Sequence, residues 1–280
     1  MTDIDFTRFP NFLIVGANKA GTTSIHNYCQ QHPQVSMSAV KEPMFFTAAR
    51  SWSYEEKENK GDPQIDLLAH PKFVNSLSAY QSLFNVNKQT IARGESSTSY
   101  LAEPEVAIPR IWQAQPDMKI IACLRNPVER AFSAYVMYSS ADLEKRTFSQ
   151  AVAEEISGKL EGIPSGMHYL KLGLYYLPIK QYMETFGRDN VLIVFFENLK
   201  NNSDSLMKDI YQFIGVDSSF EVSTEKQLNS AENWLNGKEK PEMDALTRRQ
   251  CEAFFSKNIK KTKDLLSPMF NVEDISWLNM

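Results

Sequence analysis

Nine consecutive residues, Gly16, Ala17, Asn18, Lys19, Ala20, Gly21, Thr22, Thr23 and Ser24, bring two glycines, a lysine and three hydroxyls into one short run. Glycines allow the tight turns that let backbone amides converge on an anion. A helix start adds unpaired N–H groups and the positive end of a dipole. Lys19 contributes a point charge, and Thr22, Thr23 and Ser24 contribute hydroxyl donors. The chemistry of such a run is that of a phosphate or sulfate cradle. A nucleotide-kinase loop reads GxxxxGK[ST] and has the same glycine separation, with its lysine directly after the second glycine. Here Thr22 occupies that place and the lysine stands at Lys19. The loop alone leaves a kinase-like site and a plain glycine turn open.

A second cluster lies about a hundred residues on, where the apolar run 119–124 ends in Arg125, Asn126 and Pro127, with Ser133 beyond. The planar guanidinium of an arginine holds a phosphate through two parallel bonds. Pro127 suits the first turn of a following helix, and Ser133, two turns along, reaches toward the same anion. Arg130 reads as a surface or supporting residue. The strand candidate 119–124 ends in Arg125 rather than in an acid that would hold Mg²⁺. A donor bound here has its charge met by the protein, with no metal expected.

Together these segments, GxxKxGTTS and LRNPxxRxxSxY, resemble the donor-binding elements of sulfotransferases that use 3′-phosphoadenosine-5′-phosphosulfate (PAPS). The resemblance implies that Lys19 contacts the 5′-phosphosulfate and stabilises the departing phosphate. It implies that Ala20, Gly21, Thr22, Thr23 and Ser24 complete the donor loop, and that Arg125 and Ser133 hold the 3′-phosphate. The product would be 3′-phosphoadenosine-5′-phosphate (PAP). The run Lys41, Glu42, Pro43, Met44, Phe45 and Phe46 resembles the acidic-aromatic segment of heparan-type carbohydrate sulfotransferases. That likeness gives Glu42 the task of general base on the acceptor hydroxyl, with Phe45 beside the acceptor. The other reading of Glu42 is an ion pair with Lys41. His168 ranks second as a base, ahead of His26, His32 and His70. The segment 94–100 resembles the lining of the acceptor cleft, which implies substrate roles for Glu95, Ser97 and Tyr100. Glu95 would orient Lys19 or Arg125, or satisfy buried donors. Related glycan enzymes often carry a lysine after this glutamate; Ser96 stands there instead. Gly237 and Lys238 occupy the place of a basic loop over the 3′-phosphate.

The elements that must position these residues are legible in the apolar patterning. Runs at 12–15, 34–38, 119–124 and 191–196 read as strands, and 90–92 as a further strand ending in Arg93, Gly94 and Glu95. Helical spacing marks 22–31, 73–84, 105–115, 128–140, 148–156, 177–186, 206–214 and most of 243–266. The stretches 47–71 and 218–241 read as long loops. Strands alternating with helices, the strands nearly continuous in apolar residues, indicate a parallel sheet covered on both faces. The expected fold is therefore α/β, a P-loop-like single domain over 1–280 with about five parallel strands flanked by helices. Ligands of such sheets bind beyond the carboxyl ends of the strands, where the singled-out segments fall.

Composition narrows the partners. With 42% hydrophobic and 23% charged residues the chain is an ordinary globular one, and a net charge of −4 argues against generic nucleic-acid binding. Cys29, Cys123 and Cys251 are odd in number and far apart, so free thiols are expected rather than disulfides or a zinc site. Residues 1–8 are polar, no run approaches membrane-spanning length, and the expected location is cytoplasmic. The expected acceptor is a hydroxylated small molecule: a natural product, toxin alkaloid, lipid or sugar. Two rival readings are a nucleotide or small-metabolite kinase and a non-enzymatic nucleotide-binding protein on the same fold.

Overall fold

A computed structural model describes residues 9–47, 74, 76–223, 235, 239 and 241–279. Five parallel strands form one sheet: β1 (Phe12–Gly16), β2 (Val35–Met37), β3 (Ala92–Ser96), β4 (Lys119–Leu124) and β5 (Val191–Phe195). Their order across the sheet is β2-β3-β1-β4-β5. β1 is central, and the chain crosses from its β3 side to its β4 side between β3 and β4. The carboxyl end of β1 is thus the switch point of the sheet, the place where such folds open a crevice for ligands.

β1 and β4 are apolar because helices cover both faces of the sheet. Phe12, Leu13, Ile14 and Val15 are fully buried, as are Ile120, Ile121, Ala122, Cys123 and Leu124. Each buried Leu, Ile or Val side chain contributes roughly 1.5–3 kcal/mol relative to exposure. That is enough to fix these two strands as the rigid base of whatever their ends carry. Helix α1 (Thr22–Gln31) follows β1, and α2 (Leu77–Gln81), capped by the Ser76 hydroxyl on the Ala79 amide, precedes β3. After β3 come the single turn α3 (Ser99–Ala102) and α4 (Pro104–Ala114), which opens on a proline. Helix α5 (Pro127–Ser140) leaves β4, its Asn126 cap accepting the Val128 and Glu129 amides. Helices α6 (Phe148–Ile156), α7 (Tyr176–Phe186), α8 (Phe196–Asn201) and α9 (Ser203–Ile214) follow, and the long helix Ala245–Leu266 packs on α5, α6 and α7. None of the described helices is long and apolar enough to cross a membrane.

The α/β architecture and the five-stranded parallel sheet agree with the patterning. The third strand does not lie where expected. It begins at Ala92, two residues later than the patterning puts it, and runs on to Ser96, so that the first residues of the segment 94–100 lie inside it. Periodicity misplaces it because Glu95 and Ser96 are polar yet wholly buried. Gly94 belongs in the strand for a steric reason. It pairs with Phe12 of β1, and a Cβ there would lie 2.0 Å from the Phe12 ring. The helix expected over 73–84 is shorter, ending at Gln81, and residue 73 lies outside the described residues, as does most of the expected loop 47–71.

Gly94→Ala keeps a backbone that any residue adopts and adds only that clash. It is expected to destabilise the fold by about 1–3 kcal/mol, visible as a lowered midpoint of thermal or urea unfolding.

Candidate functional site

The loop between β1 and α1 is held by its carbonyls. Ala17 donates to the Cys123 carbonyl at 2.8 Å, and Ala20 to that of Ala17 at 3.2 Å. The Cys123 thiol donates to the Ala20 carbonyl at 2.8 Å, and Arg125 donates through Nη1 to the Lys19 carbonyl at 2.9 Å. With the Lys19 and Ala20 carbonyls turned toward Arg125 and Cys123, the Thr22 and Thr23 amides open α1 at the positive end of its dipole, while the Ser24 amide donates to the Gly21 carbonyl at 3.0 Å. Gly21 caps α1 in the left-handed region (φ 89°) without a side-chain cap. A Cβ on Gly21 would sit 2.4 Å from Leu199, so both conformation and space require glycine. Lys19 is itself left-handed (φ 65°), a strain on the order of 1–3 kcal/mol that its surroundings hold in place.

Two cations meet here. Lys19 Nζ lies 3.5 Å from Met137 Sδ on α5, and its pKa is pulled down to about 8 by burial first, then by Arg125, Lys41 and Arg130. Arg125 leaves the end of β4 with its guanidinium 4.5 Å over the Phe196 ring, the first residue after β5. Burial lowers its pKa as well, and Tyr175 fixes the Arg125 backbone by donating to its carbonyl at 2.9 Å. Thr22 is buried, Thr23 and Ser24 are half-buried at the start of α1, and Ser133 is half-buried on α5. Lys19, Arg125 and the start of α1 make a donor set that is all positive or hydrogen-bond donating, which fits a phosphorylated ligand. Of its two readings, surface or supporting, burial leaves Arg130 the supporting one. It is fully buried, Nη2 donates to the Tyr169 carbonyl, and Nε and Nη1 have no partner among the described residues.

Glu42 lies in a tightly wound segment after β2, with φ 58° at Glu42 and 52° at Met44. Its amide donates to the Ser96 carbonyl at 2.9 Å. Oε2 accepts from the Thr98 amide at 2.7 Å and from Thr98 Oγ1 at 3.3 Å, and Oε1 pairs with the Lys41 ammonium. The ion pair with Lys41 is therefore real, and the side chain is nonetheless 18% exposed, open enough to meet a hydroxyl.

Glu95, Ser97 and Tyr100 lie beneath this segment rather than in a cleft. All three are fully buried. Glu95 accepts from Tyr80 at 3.0 Å, from Ser97 at 2.8 Å and from Tyr100, so it satisfies buried hydroxyls instead of orienting Lys19 or Arg125. Phe45 is buried too, stacked on Tyr80 at 4.1 Å between centroids. His168 is elsewhere: its Nε2 lies 3.1 Å from the Ile163 carbonyl, and the charges that act on it are Glu155, Lys171 and Arg146. His26 is buried in α1 and pushed down to about 4, by burial and then by Lys41. His32 is packed between Tyr211 and Phe220 with both ring nitrogens in hydrogen bonds. Gly237, Lys238 and His70 lie outside the described residues.

Sequence reasoning passed over Thr98, which grips Glu42, and Phe196, which floors Arg125. Phe196 carried a signal, since it directly follows the fifth strand at the ligand-binding end of the sheet. Thr98 carried none, because its role depends on β3 running beside the Glu42 segment.

Comparison with known proteins agrees with this geometry. The family model described as "Sulfotransferase family" matches residues 10–221. Human carbohydrate sulfotransferase 15 is 25% identical over 246 residues, covering 74% of this chain and 44% of that protein. Human bifunctional heparan sulfate N-deacetylase/N-sulfotransferase 2 is 28% identical over 214 residues, covering 75% of this chain and 22% of that one. The chain thus spans less than half the length of these curated relatives. Among solved structures, a sulfotransferase from Alicyclobacillus acidocaldarius superposes with a TM-score of 0.77 at 28% identity, over 97% of this chain and 99% of that one. A mouse sulfotransferase complexed with PAP shares the fold, with a TM-score of 0.54 at 16% identity, over 92% of this chain and 86% of that one.

The lowered pKa of Lys19 makes anion binding pH-dependent. An anion beside the ammonium raises its pKa, so binding above pH 8 takes up a proton and affinity falls as pH rises through about 8. The dissociation constant of PAP is expected to weaken up to about tenfold per pH unit there. Calorimetry in buffers of different ionisation enthalpy should show proton uptake at pH 9 and little at pH 7.

Proposed function

Because the chain belongs to the sulfotransferase family, we propose that it moves a sulfuryl group from PAPS to a hydroxyl of a small molecule, a sugar among the candidates. The observation that carries this reading is the convergence of Lys19 and Arg125, joined through the Lys19 carbonyl, at the switch point of the sheet. Glu42 stands on the neighbouring segment.

PAPS, when bound, supplies a sulfuryl group on a phosphate leaving group. Lys19 and the first-turn amides of α1 hold the 5′ end, and Arg125 with Ser133 holds the 3′-phosphate. Glu42 takes the proton of the acceptor hydroxyl as the hydroxyl oxygen bonds to sulfur. Lys19 offsets the negative charge that stays on the phosphate oxygen when its bond to sulfur breaks. Such preorganised charge is worth most in a site shielded from water, and the half-buried setting of Lys19 supplies that. Lys41 pairs with Oε1 of Glu42 and Thr98 holds Oε2, so the carboxylate is fixed from both sides.

Two features support a sulfuryl over a phosphoryl donor: Thr22 replaces the kinase lysine, and β4 ends in Arg125. A sugar is among the candidate acceptors because the relatives include carbohydrate and heparan sulfate sulfotransferases.

Incubation with PAPS and a panel of sugars, phenols and alcohols, followed by a search for sulfate mass gain, tests the activity. Lys19→Ala is expected to reduce turnover to background. Glu42→Gln is expected to lower kcat by about 10²–10⁴ while leaving PAP affinity within about twofold. Near-normal turnover of Lys19→Ala would sink the assignment.

A further inference from the structure

We propose that Glu95 is a positioning residue that fixes the aim of Glu42 through two hydroxyl relays, one by Ser97 to the Met44 amide and one by Tyr100 to the Phe46 amide. The inference rests on the assignment of Glu42 as base.

A carboxylate accepts and does not donate. Ser97 gives its single hydroxyl hydrogen to Glu95 Oε2 at 2.8 Å, and Tyr100 gives its own to Oε1. Each hydroxyl oxygen is then left only to accept. Ser97 Oγ accepts the Met44 amide at 3.0 Å, and the Tyr100 hydroxyl accepts the Phe46 amide at 3.3 Å. The polarity of both relays is thus set by one buried charge. Tyr80 donates a third hydroxyl to Oε1 at 3.0 Å and stacks on Phe45, which lies between the two held amides.

The relays act where the segment needs them. Glu42 and Met44 both sit in the left-handed region, which their own side chains do not favour, so outside bonds must hold the winding. Glu42 itself is gripped by the same strip of chain, through the Ser96 carbonyl and the Thr98 amide. Residues 95–100 therefore tie residues 42–46 at successive points, with Glu95 as the common acceptor beneath. Burial raises the Glu95 carboxyl to about 7, opposed by its three hydroxyl donors, with the Glu42 charge adding to the rise. Tyr182 on α7 completes the floor, donating to the Tyr100 carbonyl at 2.8 Å. An isolated buried carboxylate is costly, and this one is retained with every oxygen occupied.

Glu95→Gln tests the relays at nearly constant volume. Its amide nitrogen cannot accept, so either Ser97 or the tyrosine pair loses its acceptor and one relay reverses. Ser97→Ala, a smaller change, deletes the Met44 relay alone. For both variants kcat with PAPS and the best acceptor is expected to fall at least about tenfold. PAP dissociation constants and the Michaelis constant for PAPS are expected to stay within about twofold, a split that loosened folding would not give. If both variants keep kcat within twofold of the parent, or lose PAP binding in step with kcat, the relays do not position the base. Should Glu95→Gln fail to fold, Ser97→Ala decides by the same criteria. Glu42→Gln is run alongside. A fall in kcat there, with Glu95→Gln and Ser97→Ala fully active, overturns this inference alone. Full activity of Glu42→Gln overturns the base assignment and this inference with it.

Discussion

The bond from Arg125 to the Lys19 carbonyl holds two like charges closer than their ammonium and guanidinium groups favour. The backbone contact, 2.9 Å long, fixes Arg125 against the loop, while burial and Arg125 together pull the Lys19 pKa down to about 8. Much of the remaining architecture keeps that arrangement in place. Cys123 and Ala17 stitch the loop to β4, Phe196 gives the guanidinium a flat floor, and Tyr175 locks the Arg125 backbone. Electrostatic tension of this kind is relieved by an anion. The fold carries it because β1 and β4 are buried on both faces and do not yield.

On the other side of β1, the chain solves a different problem with a different device. Glu42 and Met44 are strained in backbone, and they are held by hydrogen bonds from β3 and α3 rather than by packing alone. The loop half of the site is organised by half-buried cations and the Glu42 half by a buried carboxyl. The two halves meet across β1 and β3, neighbours in the sheet.

How much of this could be read from sequence follows from where each signal resides. β4 and α6 emerge with their full boundaries because an unbroken apolar run, or a helical stripe behind a Thr147 cap, is local information. The donor loop is legible for the same reason, its glycines, lysine and hydroxyls being contiguous. β3 was misplaced because the partners that make Glu95 tolerable, Tyr80 and Tyr100, stand on other elements. Arg130 stays open between a surface and a supporting role because nothing adjacent to it announces the Tyr169 carbonyl that it meets thirty-nine positions later. Glu95, Ser97 and Tyr100 read as lining a cleft, because their place beneath the Glu42 segment depends on the register of β3 with β1 and β2.

All three cysteines are buried, and burial raises the pKa of each thiol, Cys123 furthest. The nucleophilic form of a cysteine is the thiolate, so these sulfurs are chemically silent in the folded chain. Cys123 is silent while touching the donor loop through the Ala20 carbonyl. The protein thus contains its own labelling sites for opening: alkylation of Cys123 would report separation of the loop from β4, and that of Cys29 or Cys251 the loosening of the helices that carry them, without any engineered probe.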